Sequence, residues 1–114
     1  MAEEDWAVAQ LLLQSRFGRQ AVFYTHLSVE KLLKGLIAES RGPIVILFTH
    51  NLPELAQVMD HAIPATIAAF LVRLSPHCVG ARYEASVSVY TIEYCEELLA
   101  PAREAISWLR QLLN

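Results

Sequence analysis

Hydrophobic residues recur at steps of three and four along most of this chain, the spacing that places them on one side of an α-helix. This period predicts a first helix over residues 3–15 and a longer second helix from about residue 19 to 39. The second helix is expected to end before Gly42 and Pro43, which interrupt the period. Two helices therefore occupy the first third of the predicted fold.

Two shorter helices are predicted in the middle of the chain. Asn51 is suited to cap a third helix, which has Pro53 in its first turn and ends near Met59. Pro64 is suited to open a fourth helix, which Pro76 closes. Residues 75–90 lack a helical period and predict an irregular connection, within which the SVSVY sequence alternates enough for a short extended piece.

The clearest helical period lies at the C-terminal end, after Thr91 as a plausible cap. Its apolar positions are Ile92, Cys95, Leu98, Leu99, Ala102, Ile106, Leu109 and Leu112. Pro101 falls inside this pattern and is expected to kink or split the helix, because its ring clashes with the preceding turn. The pattern predicts an all-α, up-and-down bundle of about five helices, forming a single domain over residues 1–114.

The second helix carries polar residues beside its core face. The core face is formed by Val22, Thr25, Val29, Leu32, Leu33 and Leu36. His26 lies at the edge of this face, and Glu30 and Lys34 follow at steps of four, each further from it. Residue types alone leave two interpretations open, a polar site or a structural histidine followed by a helix-stabilising Glu–Lys pair.

Phe23 and Leu27 give the second helix another apolar side, outside its core face. The chain is 54% hydrophobic and only 18% charged, which leaves few polar residues to cover a monomer's surface. We therefore predict that Phe23 and Leu27 lie in a homodimer interface. The alternative is that the first or last helix of the same chain covers them.

The net charge and the hydropathy of the chain limit the ligands and the location that we expect for it. The net charge of −3 and a pI near 5.7 mean that nucleic acid would have to bind at a local basic patch. The apolar stretches are broken by proline and too short to cross a bilayer, and the acidic start does not resemble a secretory signal. A cytoplasmic location is expected, with Cys78 and Cys95 as reduced thiols.

Several chemistries lack their sequence signature. The four glycines cannot build a phosphate-binding loop, and no Glu-x-x-His motif is present for a di-iron site. His77 and Cys78 are adjacent, but nothing at ligand spacing completes a metal site. We expect neither metal nor cofactor. The apolar run IVILF, residues 44–48, predicts either a partner-docking patch or a segment that folds back over the helix ends.

Three sequence blocks occur in order along the chain, namely HLSVEKLLKGLIAE, THNLPEL and ARYEA, and a long amphipathic helix follows the last of them. Together they resemble the HEPN domain family (higher eukaryotes and prokaryotes nucleotide-binding). The resemblance spans nearly the whole chain and is greatest to small prokaryotic members that occur beside minimal nucleotidyltransferases. The residues that carry it are His26, Glu30, Lys31, Lys34, His50, Arg82 and Tyr83.

The resemblance implies a dimeric helical bundle in which these seven residues contribute to a cleft that binds nucleotide or RNA. It also implies a separately encoded minimal nucleotidyltransferase as partner, in a toxin and antitoxin type pair. Which of the two is the toxic member stays open.

Many members of the wider family are metal-independent endoribonucleases that use an Arg and a His with about four to six residues between them. The spacings in this chain differ: they are Arg16 to His26, Arg41 to His50 and Arg73 to His77. We therefore assign no catalytic residues and expect binding rather than cleavage. If the chain is a ribonuclease, His50 and Arg82 are the pair to test. A bundle that only binds other proteins is a third hypothesis.

Overall fold

The computed structural model describes residues 2–41, 49–59, 61–78 and 90–113. Its helices are α1 (Ala2–Gln14), α2 (Gly18–Arg41), α3 (Leu52–Val58), α4 (Ala65–Leu74), α5 (Ile92–Leu99) and α6 (Ala102–Leu112). Helices α5 and α6 follow each other as one bent helix, and the described ranges contain no strand. The predicted all-α bundle of about five helices is confirmed, with its bend at Pro101. Residues 44–48 and most of SVSVY lie outside the described residues.

The predicted helix caps are present. The Asn51 side chain accepts a hydrogen bond of 3.0 Å from the backbone N–H of Glu54, and Thr91 accepts one of 3.1 Å from Tyr94. Helix α5 ends before Pro101, which lacks the N–H that a continuous helix needs. These local features fix the points at which the chain enters α3, α5 and α6.

Helix α2 is central to the bundle, since it contacts α1, α3, α5 and α6. Its core face is buried as expected and meets apolar residues from the other helices. The fully buried large side chains include Val22, Leu33 and Ile37 of α2, Leu52 and Leu55 of α3, Phe70, Leu71 and Leu74 of α4, Leu98 of α5 and Leu109 of α6. This core fixes the side of α2 that carries His26 and Glu30 against α3 and the end of α4.

Helices α1 and α2 form an antiparallel pair. The hydroxyl of Ser28 donates a 2.8 Å hydrogen bond to the carbonyl of Ala2, and Lys31 Nζ lies 2.7 Å from Asp5 Oδ2. The start of α1 therefore lies beside the middle of α2. Neither helix is long and apolar enough to cross a membrane, nor is any other helix in the part of the chain that the structure describes.

Candidate functional site

The carboxylate of Glu30 is the centre of a polar cluster between α2 and the start of α3. Glu30 is 7% exposed, although its place on the helix predicted a position further from the core. Lys34 Nζ donates a 2.8 Å hydrogen bond to Oε2, and His50 Nδ1 lies 3.0 Å from both carboxylate oxygens. Glu30 is buried where His50, just before α3, meets this side of α2.

The geometry around His50 assigns its hydrogen-bonding roles. A carboxylate can only accept, so His50 Nδ1 carries a hydrogen and donates it to Glu30. In the neutral ring, Nε2 is then the acceptor nitrogen. The His50 side chain is 59% exposed, whereas the Glu30 side chain is 9% exposed. The Glu30 carboxylate is thus covered, and the His50 imidazole is the more solvent-accessible of the two groups.

His26 ties the same cluster to the end of α4. This side chain is 1% exposed, and its Nε2 donates a 3.2 Å hydrogen bond to the backbone carbonyl of Ser75. Its Nδ1 lies 3.4 Å from Glu30 Oε1. The Ser75 hydroxyl in turn accepts a 3.0 Å hydrogen bond from the backbone N–H of Leu52, in the first turn of α3. Three helices therefore meet at His26 and Ser75.

Burial and hydrogen bonding act against each other on the two buried groups. Burial lowers the pKa of His26, and this effect outweighs the Glu30 carboxylate, which raises it. Burial alone would raise the pKa of Glu30, but hydrogen bonds from Lys34 and His50 hold this pKa below its ordinary value. Near neutral pH, Glu30 is therefore ionised and His26 is neutral.

Four of the seven predicted binding residues converge here, namely His26, Glu30, Lys34 and His50. Lys31 lies on a different side of α2, in its contact with Asp5. Arg82 and Tyr83 lie outside the described residues. His26 is a hydrogen-bonded core histidine that also contacts Glu30.

A second polar cluster was not identified from the sequence. His77 Nδ1 lies 2.9 Å from the Tyr90 hydroxyl, and His77 Nε2 lies 3.2 Å from the Tyr94 hydroxyl. Burial lowers the pKa of His77. The only sequence signal was the four-residue step between the two tyrosines. This cluster joins the chain after α4 to the start of α5.

The cysteine thiols, the possible metal ligands and a cleft elsewhere in the described residues are weaker candidates for a functional site. Cys78 and Cys95 are free thiols, and burial raises the pKa of Cys95 to about 11, so this thiol stays protonated. Within the described ranges, no three His, Cys, Asp or Glu side chains are grouped to hold a metal ion. A cleft of about 540 Å³ between α3 and α4 includes Gln57 and His61, but none of the predicted site residues.

The fold and this cluster define an all-helical domain with a polar site where its second helix meets the start of its third. A family model, HEPN domain, matches residues 1–112. The chain therefore belongs to the HEPN domain family, which indicates a function related to nucleotides or RNA. Comparison with curated proteins and with solved structures gives no match.

Proposed function

We propose that this protein is a dimeric HEPN module that binds nucleotide or RNA at the face formed by α2 and the start of α3. The observation that carries the proposal is the arrangement around Glu30. The acceptor carboxylate is buried, while the donors Lys34 and His50 are 32% and 59% exposed. Lys34 presents an ammonium group whose remaining N–H donors are available to a ligand, and His50 presents a ring nitrogen beside it, so this surface suits a phosphate group.

Arg82 and Tyr83 complete the proposed site by analogy with the family. An arginine would add a bidentate phosphate contact, and a tyrosine would stack on a base. Lys31, paired with Asp5, would add positive charge beyond the cluster. The partner we propose is a separately encoded minimal nucleotidyltransferase in a toxin and antitoxin type pair, with both proteins in the cytoplasm.

Salt dependence tests which cations contact phosphate. Changing Lys34 and Arg82 together to Ala is expected to weaken binding of a single-stranded RNA and to flatten the plot of log affinity against log salt. Two lost phosphate contacts would reduce this slope by about 1.4, because each contact releases about 0.7 counterion on single strands. Equal slopes for the variant and the unmodified protein would remove both residues from the site.

A ribonuclease remains the second candidate function, and one observation favours it. The hydrogen bond from His50 Nδ1 to Glu30 fixes the ring so that Nε2 is the proton-accepting nitrogen, an arrangement common to general bases. With Arg82 to stabilise phosphate charge, His50 would carry the proton transfer. The missing Arg-to-His spacing is why we propose binding as the main function.

Dimerisation is proposed through the outer side of the α1 and α2 pair. Phe23 packs partly against the core of its own chain, and Leu27 is half-buried. On α1, Val8 and Leu11 are 39% and 62% exposed. Val8 and Leu27 each lie about one helical turn from the contact between Asp5 of α1 and Lys31 of α2, and we propose that both lie in the dimer interface.

Replacing Leu27 by Glu is expected to convert the dimer to a monomer, because a charge would be buried in the interface. Light scattering measures the mass, and circular dichroism checks that helicity is retained. Ser107→Glu, which adds the same charge at an exposed position of α6, is the matched control and should leave the dimer intact. A dimeric Leu27→Glu variant would contradict this interface.

A further inference from the structure

The cluster around Glu30 contains more hydrogen-bond acceptors than its neutral histidines can satisfy. Both ring nitrogens of His26 face acceptors, since Nε2 lies 3.2 Å from the Ser75 carbonyl and Nδ1 lies 3.4 Å from Glu30 Oε1. A neutral imidazole carries one hydrogen and cannot donate to both. The neutral cluster therefore leaves His26 Nδ1 and Glu30 Oε1 facing each other with no hydrogen between them.

The charge balance of the cluster is sensitive to one proton. The titratable groups that face Glu30 are His26 and Lys34 on α2 and His50 before α3, while α4 contributes the Ser75 carbonyl at its C-terminal end. With both histidines neutral, the charges of Glu30 and Lys34 cancel. Protonating one histidine makes the cluster cationic, which is the state that a bound phosphate group would favour.

His50, and not the buried His26, is the group best placed to take up a proton from the solvent. Its side chain is 59% exposed, so its charged form keeps access to water, whereas His26 is 1% exposed. Glu30 already accepts from His50 Nδ1 at 3.0 Å, and protonation would give Nε2 a hydrogen to donate outward.

We propose that the His26, Glu30, Lys34 and His50 cluster takes up a proton when it binds a phosphate group, so that its phosphate-bearing ligands bind more tightly as the pH falls. This inference rests on the proposed function, because it concerns the same face and the same class of ligand. Linkage makes the effect reciprocal: if the ligand raises the proton affinity of the cluster, the proton raises the affinity for the ligand.

The number of protons taken up on binding sets how steeply the ligand affinity changes with pH. Uptake of about one proton changes the affinity by up to about tenfold for each pH unit over the range in which uptake occurs. The probe must not titrate in the same range. A phosphate monoester does, with a second pKa of about 6, so a short oligouridylate with hydroxyl groups at both ends is the suitable ligand.

Calorimetric titration of this oligouridylate into the full chain, in buffers of different ionisation enthalpy, counts the protons directly. We expect uptake approaching about one proton per site near neutral pH and affinity that rises towards about pH 6. His50→Asn should reduce the uptake strongly. His61→Asn, which changes an exposed histidine beside the cleft between α3 and α4, should retain it.

The outcomes separate the two proposals. Binding with the same heat in every buffer would overturn the proton linkage and leave the proposed function standing. Uptake that persists in His50→Asn and disappears in His61→Asn would also overturn it, because the proton would belong to another site. If the oligouridylate does not bind at any pH, the proposed function fails and the linkage fails with it.

Discussion

Replacing Glu30 by Gln is expected to lower the free energy of unfolding by about 1.5–3 kcal/mol, the range for buried hydrogen bonds to charged groups. The change keeps the side-chain shape but removes the negative charge that accepts from Lys34 and His50. The new amide nitrogen would also face one of these donors. The junction of α2 with the start of α3 should therefore loosen.

The Glu30→Gln substitution should also change how the stability of the protein depends on pH. The pKa of Glu30 is held below its ordinary value of 4.5, so its stabilising effect is present above about pH 4.5 and is lost as the pH falls through its folded-state pKa. Glu30→Gln should therefore lose less stability on acidification than the unmodified protein. In the unmodified protein, the pKa of His26 is also lowered, so its stabilising effect is likewise lost as the pH falls below its ordinary value of 6.5.

Chemical denaturation at several pH values measures both effects. Glu96→Gln, at an exposed position of α5, is the matched control and should stay within about 0.5 kcal/mol of the unmodified protein. Equal stabilities of Glu30→Gln and Glu96→Gln near neutral pH would contradict the assignment of Glu30 as the centre of the cluster.

Replacing Phe70 by Ala is expected to have a larger effect, about 3–5 kcal/mol of lost stability. Phe70 is 1% exposed on α4, in the core that holds α4 against the rest of the bundle. Truncation would leave a cavity that the neighbouring helices fill only in part. A domain of this size has a total stability of about 5–15 kcal/mol, so the variant should be close to unfolding at physiological temperature.

Val72→Ala on the same helix is the matched control, because Val72 is 60% exposed. We expect a change within about 0.5 kcal/mol for this surface position. Thermal unfolding followed by circular dichroism would show the difference between the variants. If Phe70→Ala and Val72→Ala unfold at the same temperature, the described packing of α4 is wrong.

The parts of the fold that depend on neighbouring residues could be predicted from the sequence. The caps at Asn51 and Thr91 and the bend at Pro101 each follow from chemistry within one helical turn. The step of four between Glu30 and Lys34 likewise predicted their contact on α2. Local rules were sufficient for these features because the interacting groups are adjacent on the chain.

The cluster itself depended on contacts that periodicity does not reveal. His50 meets Glu30 from twenty residues away, and His26 meets Ser75 from forty-nine away. Both contacts follow from where the start of α3 and the end of α4 lie beside α2, so the helical pattern alone placed Glu30 too far from the core. The cluster of His77, Tyr90 and Tyr94 was missed for the same reason, since it joins the end of α4 to α5.

The central claim is that this face binds RNA without cutting it. Purified protein, freed of metal, would be incubated with a labelled structured RNA beside the His50→Ala, Arg82→Ala double variant, and both retention and cleavage would be scored. We expect the unmodified protein to retain intact RNA and the double variant to lose it. Cleavage by the unmodified protein that the double variant lacks would contradict the claim and assign His50 and Arg82 to a ribonuclease.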